Sequence, residues 1–249
     1  VLFGSDTLTI TGTAVYNSAN VNEANTITFT PDAITGNYEL VPGVLTITGA
    51  SITPRDLTVT PNGGQNKKFG AEDPTLHSTN SGRVPGQIPD FSGALSRAEG
   101  EDVGQYDITL GTLEMMNYDS FGFKASNYTL KMVSPAVKFE ITKGTYGGST
   151  PTKTVNILKN YAGVQTGRLT AADFFTTAPA EAKITNAVPN AASSNMMSIA
   201  GADSSGNFTY DSKTNITAAS DESWTVTISS KNYTDITATL TFSPVDKTN

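Results

Sequence analysis

The sequence predicts an all-β protein made of tandem small β-sandwich-like modules, and three observations carry that prediction. Threonine is abundant, 38 of 249 residues, and mostly alternates with aliphatic residues. It is β-branched and tolerates the solvent face of a strand. The apolar runs keep a period of two and end in Gly, Pro and Asn clusters. A third observation divides the chain: one motif occurs twice, about eighty residues apart, as arrays of modules do.

The first copy runs Gly12-Thr-Ala-Val-Tyr16, Asn20-Val21-Asn22, Thr26-Ile27-Thr28, Gly36-Asn37-Tyr38 and Val44-Leu-Thr-Ile-Thr48. The second runs Gly93-Ala-Leu-Ser-Arg97, Asp102-Val103-Gly104, Asp107-Ile108-Thr109, Ser126-Asn127-Tyr128 and Val137-Lys-Phe-Glu-Ile-Thr142. About eight extra residues, within 115–124, precede the second Asn-Tyr. The lead-in at 57–84 has no counterpart before residue 1, so the chain is expected to begin in mid-module. The expected modules are 1–50, a partial repeat; 51–142, a fuller copy; and 143–249, a different domain.

In chain order, residues 7–11 place Leu8 and Ile10 on one face and threonines on the other, which reads as a strand. Ile27 with Phe29, and Leu45 with Ile47, repeat the pattern. Pro54 cannot donate to a ladder, so a short stiff junction is expected at 51–56. Leu57-Thr-Val-Thr60 is the next strand, followed by a hairpin turn at Pro61-Asn-Gly-Gly64. Residues 78–93 read as loop with short strands. Residues 91–97 contain good helix formers, but the repeat partner is rich in Thr and Val, so both are assigned as strands. Val137, Phe139 and Ile141 close the module facing inward. The glycines of residues 144–151 make a softer junction. Beyond it, strands are expected near 154–159, 182–188, 196–201, 207–212, 224–229 and 236–242, with one helical turn at 169–175. Trp224, Val226, Ile228, Leu240 and Phe242 should share one core. Such a series of short strands over about a hundred residues is what an Ig-like β-sandwich shows. No helix longer than two turns is expected.

Composition excludes several classes. With no cysteine there is neither a disulfide scaffold nor a thiolate zinc site, which fits a secreted bacterial surface protein and a cytosolic one alike. No stretch reaches the ~20 apolar residues of a membrane helix. Net charge is −4 over residues 1–50, −3 over 51–142 and 0 over 143–249. Without a basic stripe, neither nucleic acid nor an anionic membrane is an expected partner. The single histidine, His77, has no cysteine or second histidine to join, and no Gly-x-Ser-x-Gly elbow is present. The chain is therefore not expected to be an enzyme or to need a cofactor.

Two constellations remain as candidate sites. Tyr106, Tyr118, Phe121 and Phe123 surround the insertion at 115–124, and aromatic rings on a loop can stack on sugar faces. The alternative is that Phe121 or Phe123 plugs the end of the module. Glu99, Glu101 and Asp102 are the candidate oxygen ligands for Ca²⁺; the alternative is a solvated acidic loop. Asn127, Asn207, Asn215 and Asn232 each stand in an Asn-x-Thr sequon and read as turn and strand-edge chemistry.

Lys68-Phe69-Gly70-Ala-Glu-Asp73-Pro74, Ser92-Gly-Ala-Leu-Ser-Arg97, Glu101-Asp-Val103-Gly104-Gln-Tyr106-Asp-Ile108 and Ser126-Asn127-Tyr128-Thr129-Leu130 together resemble the MBG family, whose modules recur in bacterial surface proteins and adhesins. The first fifty residues resemble the C-terminal part of the related YDG repeat through Tyr16-Asn-Ser-Ala-Asn20-Val21 and Gly36-Asn37-Tyr38. They depart from it at Asn22, where that family usually has Gly. The last module is similar to Ig-like repeats of Gram-positive surface proteins through Ser229-Ser-Lys-Asn-Tyr-Thr-Asp-Ile-Thr237. The resemblance implies a non-catalytic, extracellular adhesin segment, a stalk whose partners are neighbouring modules and a host or dietary glycan or glycoprotein. It carries over no ligand residues. The competing reading is a set of accessory modules of a secreted polysaccharide-degrading enzyme.

Overall fold

The computed structural model describes residues 3–5, 7–34, 38–39, 41, 43–190 and 196–247. It is all-β: the helical content of these residues is three 3-10 turns of three or four residues each. The chain divides into two compact units, one of residues 1–64, 75–98 and 107–138, the other of 65–74, 99–106 and 139–249.

In the first unit, β1 (Gly12–Tyr16), β2 (Thr26–Pro31) and β3 (Leu45–Thr48) form an antiparallel sheet in sequence order. The expected strand at 7–11 does not form. The β1–β2 ladder ends at the Gly12–Pro31 pair, with one further backbone bond from the Asp32 N–H to the Thr11 carbonyl at 2.8 Å. Nor do Leu45 and Ile47 turn inward: they are 41% and 55% exposed. Ala24 is the buried apolar residue among those described before residue 51.

The rest of that unit is built on β4 (Arg55–Pro61), which pairs in parallel with β11 (Tyr128–Met132) and antiparallel with β6 (Ser78–Ser81). The turn after β4 takes its left-handed conformation at Gly64, φ +76°, and not at the Asn62-Gly63 pair, and it makes no hairpin: the next strand, β5 (Asn66–Lys68), lies in the second unit and pairs with β12 (Lys138–Thr142). β7 (Asp90–Ser92) pairs with β10 (Glu114–Met116), and β8 (Ser96–Arg97) with the end of β9 (Gly104–Thr109). Residues 91–97 are thus extended, as the repeat required. The core here is small: Leu57, Phe123 and Tyr128, with Phe91, Met115 and Leu130 packed against them.

The second unit holds the larger core. β13 (Thr152–Leu158), β19 (Ile236–Val245), β18 (Glu222–Ser229) and β15 (Lys183–Pro189) make one sheet, in that order. β14 (Thr166–Leu169), β17 (Phe208–Ser212) and β16 (Met197–Ile199) make a second. β14 has no counterpart among the expected strands; its Thr-Gly-Arg-Leu is too short for a periodic signal. Along β18 burial alternates residue by residue, so Trp224, Val226 and Ile228 face the core shared with Leu240 and Phe242 of β19. The expected helical turn is a 3-10 turn, Ala171–Phe174, closed by a capping box in which Thr170 and Asp173 satisfy each other's backbone N–H groups.

Candidate functional site

The insertion folds as a small closed loop. Tyr118 and Phe123 exchange backbone hydrogen bonds of 2.8 and 3.1 Å, the 3-10 turn Asp119–Phe121 fills the space between, and Gly122 turns back at φ +62°. Tyr118 and Phe121 project outward, 37% and 44% exposed, with centroids 5.1 Å apart and planes tilted by 55°. Phe123 is not part of that surface. It is fully buried and stacks on Tyr128 at 4.9 Å, so it is the plug. Tyr106 belongs to the other compact unit. It is half-buried, packed over Gly100, and its hydroxyl donates to the Asp102 carbonyl at 2.7 Å. Of the four aromatic candidates, the structure brings Tyr118 and Phe121 together as an exposed pair.

The three carboxylates do not converge on a metal. Among the described residues, no group of three His, Cys, Asp or Glu side chains is arranged to hold one. Glu101 lies with Asp73 on the ammonium group of Lys67, the Asp73 contact being 2.6 Å. Lys67 itself is 7% exposed, on the inward phase of β5. Its two carboxylates, Asp73 first and Glu101 next, raise its pKa, since each favours the charged form. This ion triad ties two motifs of the sequence together, Lys-Phe-Gly-x-x-Asp-Pro and Glu-Asp-Val-Gly. An open depression of about 440 Å³ lies over it, lined by Lys67, residues 69–73 and Glu101. Lys67 escaped the sequence reading because Asn66-Lys67-Lys68 is polar throughout and shows no strand phase. His77 is exposed and uses its backbone carbonyl to accept from Asn62 N–H.

Asp102 has a different task. Its Oδ1 accepts from Asn232 Nδ2 at 2.7 Å and its Oδ2 from Lys231 Nζ at 2.7 Å, while Val103 N–H donates to Asn232 Oδ1 at 2.9 Å. Lys231 first and Asn232 second hold the Asp102 carboxyl below its ordinary range, and the same contact raises Lys231. Asn232 is buried at 5% exposure. Around it Phe69, Tyr233, Tyr146 and Phe175 form a chain of edge-to-face rings with centroids 5.2–5.6 Å apart. The buried Gly144 sits against the Phe69 carbonyl and exchanges backbone bonds with Asn232 and Thr234. The boundary expected near residue 143 is thus crossed by a bonded joint, inside the second compact unit.

A second joint lies across the other expected boundary, inside the first compact unit. Asn127 Nδ2 donates to Asn20 Oδ1 at 3.0 Å, and Val21 N–H donates to Asn127 Oδ1 at 2.9 Å. Lys124 reaches Glu23 at 3.1 Å. Hydrogen bonds from Asn20, Ser18 and Lys124, in that order, pull Glu23 down to about 2. Neither joint was anticipated as a site, because each is assembled from residues about 105 to 130 apart in sequence.

No curated protein matches the chain. Among solved structures, an endo-fucoidan hydrolase, MfFcnA9 from glycoside hydrolase family 107, is 13% identical over 63% of this chain and 27% of its own, with a TM-score of 0.24. The human desmocollin-1 ectodomain is 11% identical over 90% of this chain and 47% of its own, TM-score 0.29. The tandem Ig repeats of Dlar are 10% identical over 79% of this chain and all of theirs, TM-score 0.22. The chain spans less than half the length of the fucoidan hydrolases it matches. The segment that carries the ion triad's motifs, the aromatic loop and Asn127 is the one a family model recognises: residues 57–137 match the MBG domain of the YGX type.

Proposed function

We propose that this chain is a non-catalytic segment of a bacterial cell-surface or secreted adhesin, a stalk of three modules that also presents a glycan-facing loop. The observation that carries the reading is that both module boundaries are bonded joints. At each one, side chains hydrogen-bond to the neighbouring segment's backbone as well as to its side chains. A flexible linker makes no such bonds, whereas a spacer that holds a binding tip away from a surface needs them. The MBG match over 57–137 supports the surface-protein class, and the Ig-like reading of residues 143–249 belongs to the same proposal. Tyr118 and Phe121 are the pair on which a sugar ring would stack. No helix among the described residues is long and apolar enough to cross a membrane.

The test is a glycan-array screen of the chain beside its Tyr118→Ala, Phe121→Ala double variant. Binding that the double variant loses at least tenfold is the expected result. Binding that survives the substitutions would move the site elsewhere, and a chain that binds no glycan would be a spacer alone.

A further inference from the structure

The two joints have the same design. In each, one asparagine uses both ends of its carboxamide: Nδ2 donates to the side-chain oxygen of an Asn or Asp, and Oδ1 accepts the N–H of the valine that follows it. In each, a lysine close before that asparagine pairs with an acid of the preceding segment, Lys124 with Glu23 and Lys231 with Asp102. In each, the tyrosine after the asparagine lies in a parallel pairing with the chain just past the junction, Tyr128 with Arg55 and Tyr233 with Gly144.

The sequence holds this pattern sparingly. Asn-Tyr occurs five times, but Asn-Tyr-Thr occurs twice, at 127–129 and 232–234. Asn-Val or Asp-Val also occurs twice, at 20–21 and 102–103. Those four places are the four halves of the two joints. The other described Asn-Tyr pairs are used locally: Asn117 Oδ1 accepts from Ala125 N–H, and Asn160 sits at a left-handed φ of +53°. A β-branched Thr in third place favours the extended backbone that the parallel pairing needs, where Asn117-Tyr118 is followed by Asp119 and a 3-10 turn.

We propose that Asn-Tyr-Thr and Asn/Asp-Val are the two halves of a module-joining recognition element, and that the partner an Asn-Tyr-Thr takes is the Asn/Asp-Val turn of the module before it. The inference is independent of what the array binds. It gives the joint a direction, because each asparagine seats on the segment N-terminal to its own. Residues 143–249 contain the Asn-Tyr-Thr half but no Asn-Val or Asp-Val, so this segment can follow another module in this way but offers no seat of this kind to a follower.

The chemistry of the two seats differs, and this provides the test. Asn20 presents a carboxamide whose Nδ2 donates to Glu23 Oε2 at 2.9 Å, which leaves its Oδ1 facing the joint; Asp102 presents a carboxylate, which only accepts. Amide hydrogen exchange is measured on the full chain at Val21 and Val103, with Leu240 as a core reference. Asn232→Ala should speed exchange at Val103 by about tenfold or more and leave Val21 and Leu240 unchanged, and Asn127→Ala should do the reverse. Asn232→Asp should expose Val103, and adding Asp102→Asn should restore its protection. Failure of the Asp102→Asn rescue, or loss of Leu240 protection along with Val103, would overturn the proposal.

Discussion

Phe121 and Phe123 stand on either side of Gly122, whose left-handed backbone turns the chain so that one ring faces water and the other enters the core. Removing Phe123 deletes a fully buried ring and its stack on Tyr128, so Phe123→Ala should cost about 3–5 kcal/mol in denaturant unfolding. Phe121→Ala should stay within about 0.5 kcal/mol, so that any effect it has on binding is not an effect on stability. Charge at the joints sets a pH dependence of known sign. Glu23 and Asp102 have lowered pKa values in the folded chain, so their contribution is complete above the ordinary carboxylate range. It is lost as pH falls, for Glu23 toward about 2. Thermal denaturation followed from pH 7 down to pH 2 should show a falling midpoint below about pH 4, and Glu23→Gln should flatten part of that fall. Both carboxylates are solvent-exposed, so salt should weaken the same contribution.

At the scale of elements, the joint near residue 143 depends on one close approach. A Cβ on Gly144 would lie 2.6 Å from the Phe69 carbonyl oxygen, whereas one on Gly147 would meet nothing within 4 Å. Gly144→Ala should therefore force backbone apart and cost about 1–3 kcal/mol, as overpacking does. It should also separate Phe69 from Tyr233, which the ring-current shifts of Phe69 will report. Gly147→Ala should do neither. The strands themselves were legible wherever period two ran for several residues: β18 and β19 fall close to the expected ranges because Trp224, Val226 and Ile228 alternate without interruption with polar residues. Residues 7–11 show the limit of that signal. Their alternation is as regular, but a strand also needs a partner, and the pairing of β1 with β2 goes no further than the Asp32 N–H bond to the Thr11 carbonyl. The aromatic loop was legible as a loop but not in its orientation, because Phe121 and Phe123 differ only by which side of a glycine they occupy. The joints could not be read at all as sites, since each Asn-Tyr looks alike until its distant partner is known. Their halves were nonetheless in view as aligned repeat positions.

Across the whole molecule the apolar core is unevenly shared. Residues 143–249 bury Trp224, Phe242, Leu240, Ile228 and their neighbours in one continuous cluster. Among the described residues before 51, by contrast, Ala24 is the buried apolar side chain, while Val15, Tyr16, Leu45 and Ile47 are 40% exposed or more. Three strands held by backbone ladders with so little buried surface cannot offset the conformational entropy of fifty residues, which is of order 1 kcal/mol or more per residue. What residues 1–50 gain beyond their own sheet is the joint to the next segment: the Asn127 carboxamide on Asn20 and Val21, and Lys124 on Glu23. Residues 1–50 expressed alone should therefore show no cooperative thermal transition. The same residues within the full chain should show protected amides in β2 (Thr26–Pro31). Asn127→Ala should lower that protection without moving the core of 143–249, because Asn127 belongs to the same compact unit as β2 and not to the one holding that core. Should residues 1–50 instead melt cooperatively by themselves, the joint is dispensable to them and the boundary at 51–56 separates two independent folding units.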